Sequence, residues 1–334
     1  MKNLNFLFLF VLIVGISNRS LAQTEQKQTT PSTSNTELKN SQINQNQQIL
    51  LQFESERIKA LKNDGIIDSK EESTLSAIAA QNIETTQSNY LLARLYRNSQ
   101  KSKIHLDKIS EPNNALVEAE RAWQSISEGD YNQAKKITNE LVAKEFISKE
   151  KVMYGQLIKQ SIQEESFLIT NGEWDTYAAL SAVNKSIVVI PLPLLAHPDF
   201  QAYLKKLTGS KITDIQDLKT TIQILAAKRN VYVSLTVQAS KLKPSASQLS
   251  LSGVCVKWNP NSESSNENEL FYQSLAFKQL IKQLKQSNSK DLAWFRNVLP
   301  GLKSYELQLI KEQKNTNEVN QAIQLIQNKT ADNE

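Results

Sequence analysis

The chain has 334 residues, 22% of them charged and 40% hydrophobic, with a formal net charge of +5. Its lysines are scattered rather than massed, which argues against a basic footprint for nucleic acid or anionic lipid and reads as solvated helix faces. The single cysteine, Cys255, excludes an intramolecular disulfide, and eight widely spread glycines build no phosphate cradle.

The first 22 residues have the form of an export signal. Lys2 precedes an apolar core from Phe6 to Ile16, and Ser20-Leu21-Ala22 places small residues at a cleavage site. The apolar run is shorter than a membrane span, and no second run approaches that length. The expectation is an exported chain, periplasmic or secreted, with no membrane span after cleavage. Loss of Lys2 and Arg19 would leave 37 basic against 34 acidic residues. Residues 23–47 are mostly Gln, Thr, Ser and Asn and read as a disordered linker, because they offer too little apolar surface to offset chain entropy.

Helical periodicity follows over 48–163. Ile49, Leu50, Phe53, Ile58 and Leu61 mark one helix, Ser69 is a candidate cap for the next, and Tyr90 to Tyr96 lie in a third. Ala115–Glu128 and Tyr131–Lys144 form a pair joined by Glu128-Gly129-Asp130. The turn glycine, the aromatic residue after it, and the small Ala122 and Ala134 resemble a tetratricopeptide hairpin. Without a 34-residue repeat, a degenerate repeat and a plain helical hairpin both fit. Either presents a surface for partners.

From 164 to 260 the pattern alternates. Phe167–Thr170, Ile187–Pro191, Val231–Val237 and Leu249–Trp258 are β-rich, and helical stretches separate the first three. This predicts a small, mostly parallel α/β sheet closed by an antiparallel pair, within an α+β or α/β chain. Residues 269–328 read as C-terminal helices: Leu270–Gln286, a segment at Trp294-Phe295, and Tyr305–Asn328.

Chemistry concentrates at Phe167–Tyr177. A strand runs into Asn171-Gly172, two carboxylates follow at Glu173 and Asp175, and a helix begins at about Tyr177. Open α/β sheets bind ligands at such strand ends. Asn171, Glu173, Asp175 and Thr176 are the candidate ligand-binding groups, for a cation or sugar hydroxyls, with Trp174 as a stacking platform. His197, after the second strand, is a further candidate beside Asp175. The bland alternative is a cap, with Asp175 or Thr176 satisfying the helix N-terminus. Neither His105 nor His197 has metal-ligand spacing, no serine elbow accompanies them, and Cys255, flanked by valines, reads as a buried small side chain. No cofactor is expected.

The run Thr170-Asn171-Gly172-Glu173-Trp174-Asp175-Thr176-Tyr177 resembles the motif "TNGDNDTY" of a bacterial family of multispanning membrane proteins related to protein O-mannosyltransferases, which carry a soluble C-terminal region. Val188 to Leu195, Arg229 to Val233 and Leu249 to Pro260, with Gly253 in the glycine place, resemble its later segments in order. The resemblance implies a detached soluble part of that family. It does not imply glycosyl transfer, because the spanning portion is absent here, Glu173 and Trp174 replace the family's Asp and Asn, and Ala178 replaces its proline. The expected function is therefore a non-enzymatic interaction protein of the cell envelope with a protein partner. The alternative is a glycan- or metal-binding domain in a glycosylation pathway.

Overall fold

A computed structural model describes residues 33–63, 67–81, 85–111, 114–209, 218–259, 267–287 and 290–331. The expected export signal and the first part of the expected linker lie outside the described residues. The chain divides into two compact units, one ending at Glu120 and the other beginning at Arg121. The compositional change at 163–164 thus marks where strands begin, while the unit boundary falls earlier, inside the helix Ala115–Ser127. No described helix is long and apolar enough to cross a membrane.

The first unit is helical: α1 (Thr33–Asn63), α2 (Ser69–Ala80), α3 (Thr85–Leu95), α4 (Lys101–Leu106) and the start of α5 (Ala115–Ser127). Helix α1 begins inside the segment expected to be disordered, which corrects that expectation for residues 33–47. Gln, Glu, Lys and Leu are good helix formers, and a helix already anchored downstream extends at one hydrogen bond per added residue, without needing a core of its own. The cap of α2 is Asp68, not Ser69: its carboxylate accepts the Lys70 and Glu71 amides at 2.8 Å, and Glu71 returns a bond to the Asp68 amide at 3.0 Å. Phe53, Leu75, Ile78, Leu91 and Val117 lie in one apolar cluster.

Beside that cluster runs a chain of alternating charges. Arg94 on α3 bonds Glu54 on α1 and, at 2.7 Å, Glu120 on α5; Arg57 reaches Glu54 and Arg97 reaches Glu120, both at 2.9 Å. Glu54, Arg94 and Glu120 are all buried. Each buried carboxylate touches two guanidinium groups, so neither lacks a counter-charge.

The second unit holds the rest of α5, then α6 (Tyr131–Ala143), α7 (Lys149–Ser161), β1 (Phe167–Thr170), α8 (Glu173–Ala182), β2 (Val188–Pro191), α9 (Pro198–Thr208), α10 (Leu218–Ala226), β3 (Val231–Ser234), α11 (Ala239–Leu242), β4 (Leu249–Ser252) and β5 (Cys255–Trp258). Helices α12 (Glu267–Gln273), α13 (Leu275–Gln286), α14 (Leu299–Lys311) and α15 (Asn317–Ala331) follow, with a 3-10 segment Lys290–Val298 between α13 and α14. The helix expected over Tyr305–Asn328 is two helices, parted where Gln313 takes a left-handed φ of 55°.

The sheet order is β2-β1-β3-β5-β4. Strand β1 pairs in parallel with β2 and β3, whereas β3–β5 and β5–β4 are antiparallel. The sheet is therefore mixed rather than mostly parallel, and the fold is α+β: mostly helical with one small sheet. Leu249–Trp258 divides into a hairpin at Gly253-Val254, where Gly253 has φ +59° and an added Cβ would meet Ser161 Oγ at 2.3 Å. All of β1, β2 and β3 is buried, as expected for strands covered on both faces. Tyr131, the aromatic residue after the α5–α6 turn, donates its hydroxyl to the Val189 carbonyl and so covers the outer edge of β2.

Helices α7 and α8 cross at unusually short range. A Cβ on Gly155 would lie 1.9 Å from the Ala178 carbonyl oxygen, so only glycine fits there. That crossing fixes the start of α8, and with it the candidate site, against α7.

Candidate functional site at the carboxyl end of the parallel strands

From β1 the chain moves to β2 on one side, and β3 then adds on the other side of β1. The crevice outside the carboxyl ends of β1 and β3 is thus a topological switch point, where such sheets bind ligands. Two short connections border it: Asn171-Gly172 after β1, and the segment containing Thr236 after β3.

Helix α8 starts at Glu173, four residues earlier than the sequence suggested, with Gly172 as N-cap. Asp175 is therefore the third residue of the helix rather than its cap. Its buried carboxylate reaches back to accept the Asn171 amide at 2.7 Å and the Gly172 amide at 2.9 Å. It also accepts its neighbour's amide, Thr176, at 3.1 Å, and the Thr236 hydroxyl. The glycine has no side chain to reciprocate, so this is half a capping box. Thr236 Oγ1 lies 2.9 Å from Ser234 Oγ, and Thr170 and Thr176 hydroxyls meet at 2.7 Å. Burial raises the Asp175 carboxyl above its ordinary range, against the opposing pull of the Thr236 hydroxyl and the turn amides.

The candidate residues consequently separate. Residues two apart on a helix do not share a face; Asp175 points into the protein while Glu173, in the first turn, is only partly buried. The two carboxylates are not arranged to grip one ion together. Asn171 and Gly172 contribute backbone amides to Asp175, and Thr176 contributes its amide there and its hydroxyl to Gly172 O. His197 is fully buried as the N-cap of α9; its amide donates to Leu194 O and its carbonyl accepts from Gln201, both at 2.9 Å. It follows β2, on the opposite side of β1 from Thr236, and is not among the partners of Asp175. His197, a candidate for a place beside Asp175, thus makes no hydrogen bond to that carboxylate. Among the described residues, no group of three or more His, Cys, Asp or Glu side chains converges for a metal ion.

Trp174 is covered by groups that sequence reasoning missed. The Lys151 ammonium lies 4.1 Å from its ring centroid, Phe146 tilts against it at 5.7 Å, and Tyr177 meets it edge-on at 6.2 Å. Lys151 is itself buried and pairs with Asp291 at 3.3 Å. One signal was present: Lys151, Tyr154, Gly155 and Ile158 fall on a single helical face, and the last three are plainly core-facing. Cys255 and Tyr154 are fully buried near Asp175, and burial pushes thiol and phenol upward, so neither is poised as a nucleophile.

Burial lowers the Lys151 ammonium, against the attraction of Asp291. A lysine whose folded pKa lies below its unfolded value costs stability while protonated, and that cost fades as pH rises through the folded pKa towards the unfolded one. The wild type is therefore expected to gain stability relative to Lys151→Met as pH is raised towards about 10.4. Urea midpoints of both proteins across an alkaline series check this; a constant difference would refute it.

Comparisons with protein-family models, with curated proteins and with solved structures found no match for this chain.

Proposed function

We propose that the protein is an exported, non-enzymatic interaction protein of the cell envelope, and that the Asn171–Thr176 turn is a structural joint rather than a ligand site. The observation that carries this is the closure of the turn on itself: Asp175 is engaged by Asn171, Gly172 and Thr236. The cover of Lys151 on Trp174 supports it further. Partner binding gains support from the exposed Leu307 and Ile310, 59% and 54% exposed and three residues apart on α14. In this reading the α5–α6 hairpin serves as a tetratricopeptide-like surface. The second unit would be a counterpart of the soluble region of the mannosyltransferase-like family, whose motif segments fall on β1–α8, β2, β3 and the β4–β5 hairpin in order. The second reading, a glycan or cation site, rests on Trp174 and Glu173, which keep partial exposure.

Titration calorimetry with Ca²⁺, Mg²⁺ and a glycan panel separates the two. The wild type is expected to give no saturable heat. Asp175→Asn is expected to lose about 2–3 kcal/mol of stability, because an amide NH₂ would face N–H donors that now meet a carboxylate. Saturable binding that disappears in a folded Trp174→Ala variant would overturn the structural reading.

A further inference from the structure

Helix α13 turns its apolar side inward through Phe277, Leu280 and Leu284, all buried. Its outward side carries Lys278, Lys282 and Lys285, all exposed. Their spacing of four and three residues sets them in one stripe about 10 Å long. The helix contains no acidic residue. None of the three lysines makes an ion pair among the described residues, whereas Lys59, Lys101, Lys151 and Lys314 each reach a carboxylate. The remaining outward positions, Gln279, Gln283 and Gln286, are uncharged. At the N-terminal end of this helix, Leu275 is 72% exposed, and Leu270, just before it on α12, is 70% exposed.

We propose that this face docks on an anionic lipid surface. The inference is independent of the partner-binding reading and goes beyond it. Three unpaired ammonium groups complement a layer of phosphates, and lysine suits fluid headgroups because it acts as a flexible point charge rather than a fixed fork. Two exposed leucines at one end can enter the boundary between headgroups and acyl chains while the lysine stems keep their charges at the phosphates. Two leucines are too few to line a groove for a partner helix, whereas a bilayer demands no such complementarity.

Co-sedimentation of the purified chain with two kinds of vesicle tests the proposal: phosphatidylcholine alone, and phosphatidylcholine with about 30 mol% phosphatidylglycerol. Binding is expected only to the anionic vesicles, and it should fade as salt rises from about 0.05 to 0.5 M. The triple variant Lys278→Gln, Lys282→Gln, Lys285→Gln, checked for folding by circular dichroism, should bind roughly a hundredfold more weakly. An N-terminal apolar segment would bind both vesicles alike, so equal binding overturns the proposal. So does a triple variant that binds anionic vesicles like the wild type. Failure on vesicles together with a salt-sensitive polyglutamate complex, lost in the triple variant, would also overturn it and assign the face to an acidic protein.

Discussion

Arg94→Ala is expected to destabilise the first unit by about 3–5 kcal/mol, because it leaves two buried carboxylates short of their shared counter-charge. Glu54 would keep Arg57, and Glu120 would keep Arg97, but the guanidinium joining α1, α3 and α5 would be gone. A loss of that size is a large share of a domain's usual 5–15 kcal/mol, roughly speaking. Hydrogen exchange over residues 85–95, together with urea unfolding, would register it; protection equal to wild type would refute it. The effect should also depend on pH. Burial alone would raise the Glu54 carboxyl, but attraction from Arg57 and Arg94 outweighs it and holds the group below its ordinary value. Such a group stabilises the fold above its unfolded pKa and loses that contribution as pH falls through the folded one. The gap between wild type and Arg94→Ala should therefore narrow below about pH 4.

The second large effect is at Gly155, where the sign is the test. Replacing glycine by alanine inside a helix ordinarily stabilises a protein by about 0.5–1 kcal/mol. Here the new methyl group would sit 1.9 Å from the Ala178 carbonyl oxygen and 2.6 Å from its carbon, both backbone atoms. Helices α7 and α8 must part to admit it, and overpacking of this kind costs about 1–3 kcal/mol or more. Because α7 carries Lys151 and α8 carries Trp174, the same shift should disturb the ammonium over the indole. Gly155→Ala is thus expected to lower the denaturation midpoint and to change tryptophan emission. A more stable variant would show that the crossing is not tight.

Where neighbours in sequence decide the outcome, the reading from residues served well. Phe167–Thr170 has the bounds read from its β-prone run and the Asn171-Gly172 turn, and the helix that the residues suggest over Asp199–Leu207 runs from Pro198 to Thr208, with Pro198 and Gly209 punctuating it. Burial of Cys255 followed from its valine neighbours. At the candidate site the reading stopped short. Asn171-Gly172 marked a turn, but nothing local said that Glu173 and Trp174 were already helical. That depends on Asp175 reaching back to two amides, with Thr236, 61 positions away, completing its shell.

Sequence by itself determined the succession from a helical region to a β-rich region to C-terminal helices, the absence of an intramolecular disulfide and the place where polar groups meet a strand end. Those properties rest on periodicities and turn chemistry acting within a few residues. Only the tertiary structure decided that Glu173 and Asp175 diverge, that His197 lies across β1 from Thr236, and that Lys151 closes over Trp174. Each depends on which distant elements pack together. A buried charge must find its partner wherever packing brings one, and Arg94 meets Glu54, 40 positions before it, and Glu120, 26 positions after it, because α1, α3 and α5 pack together.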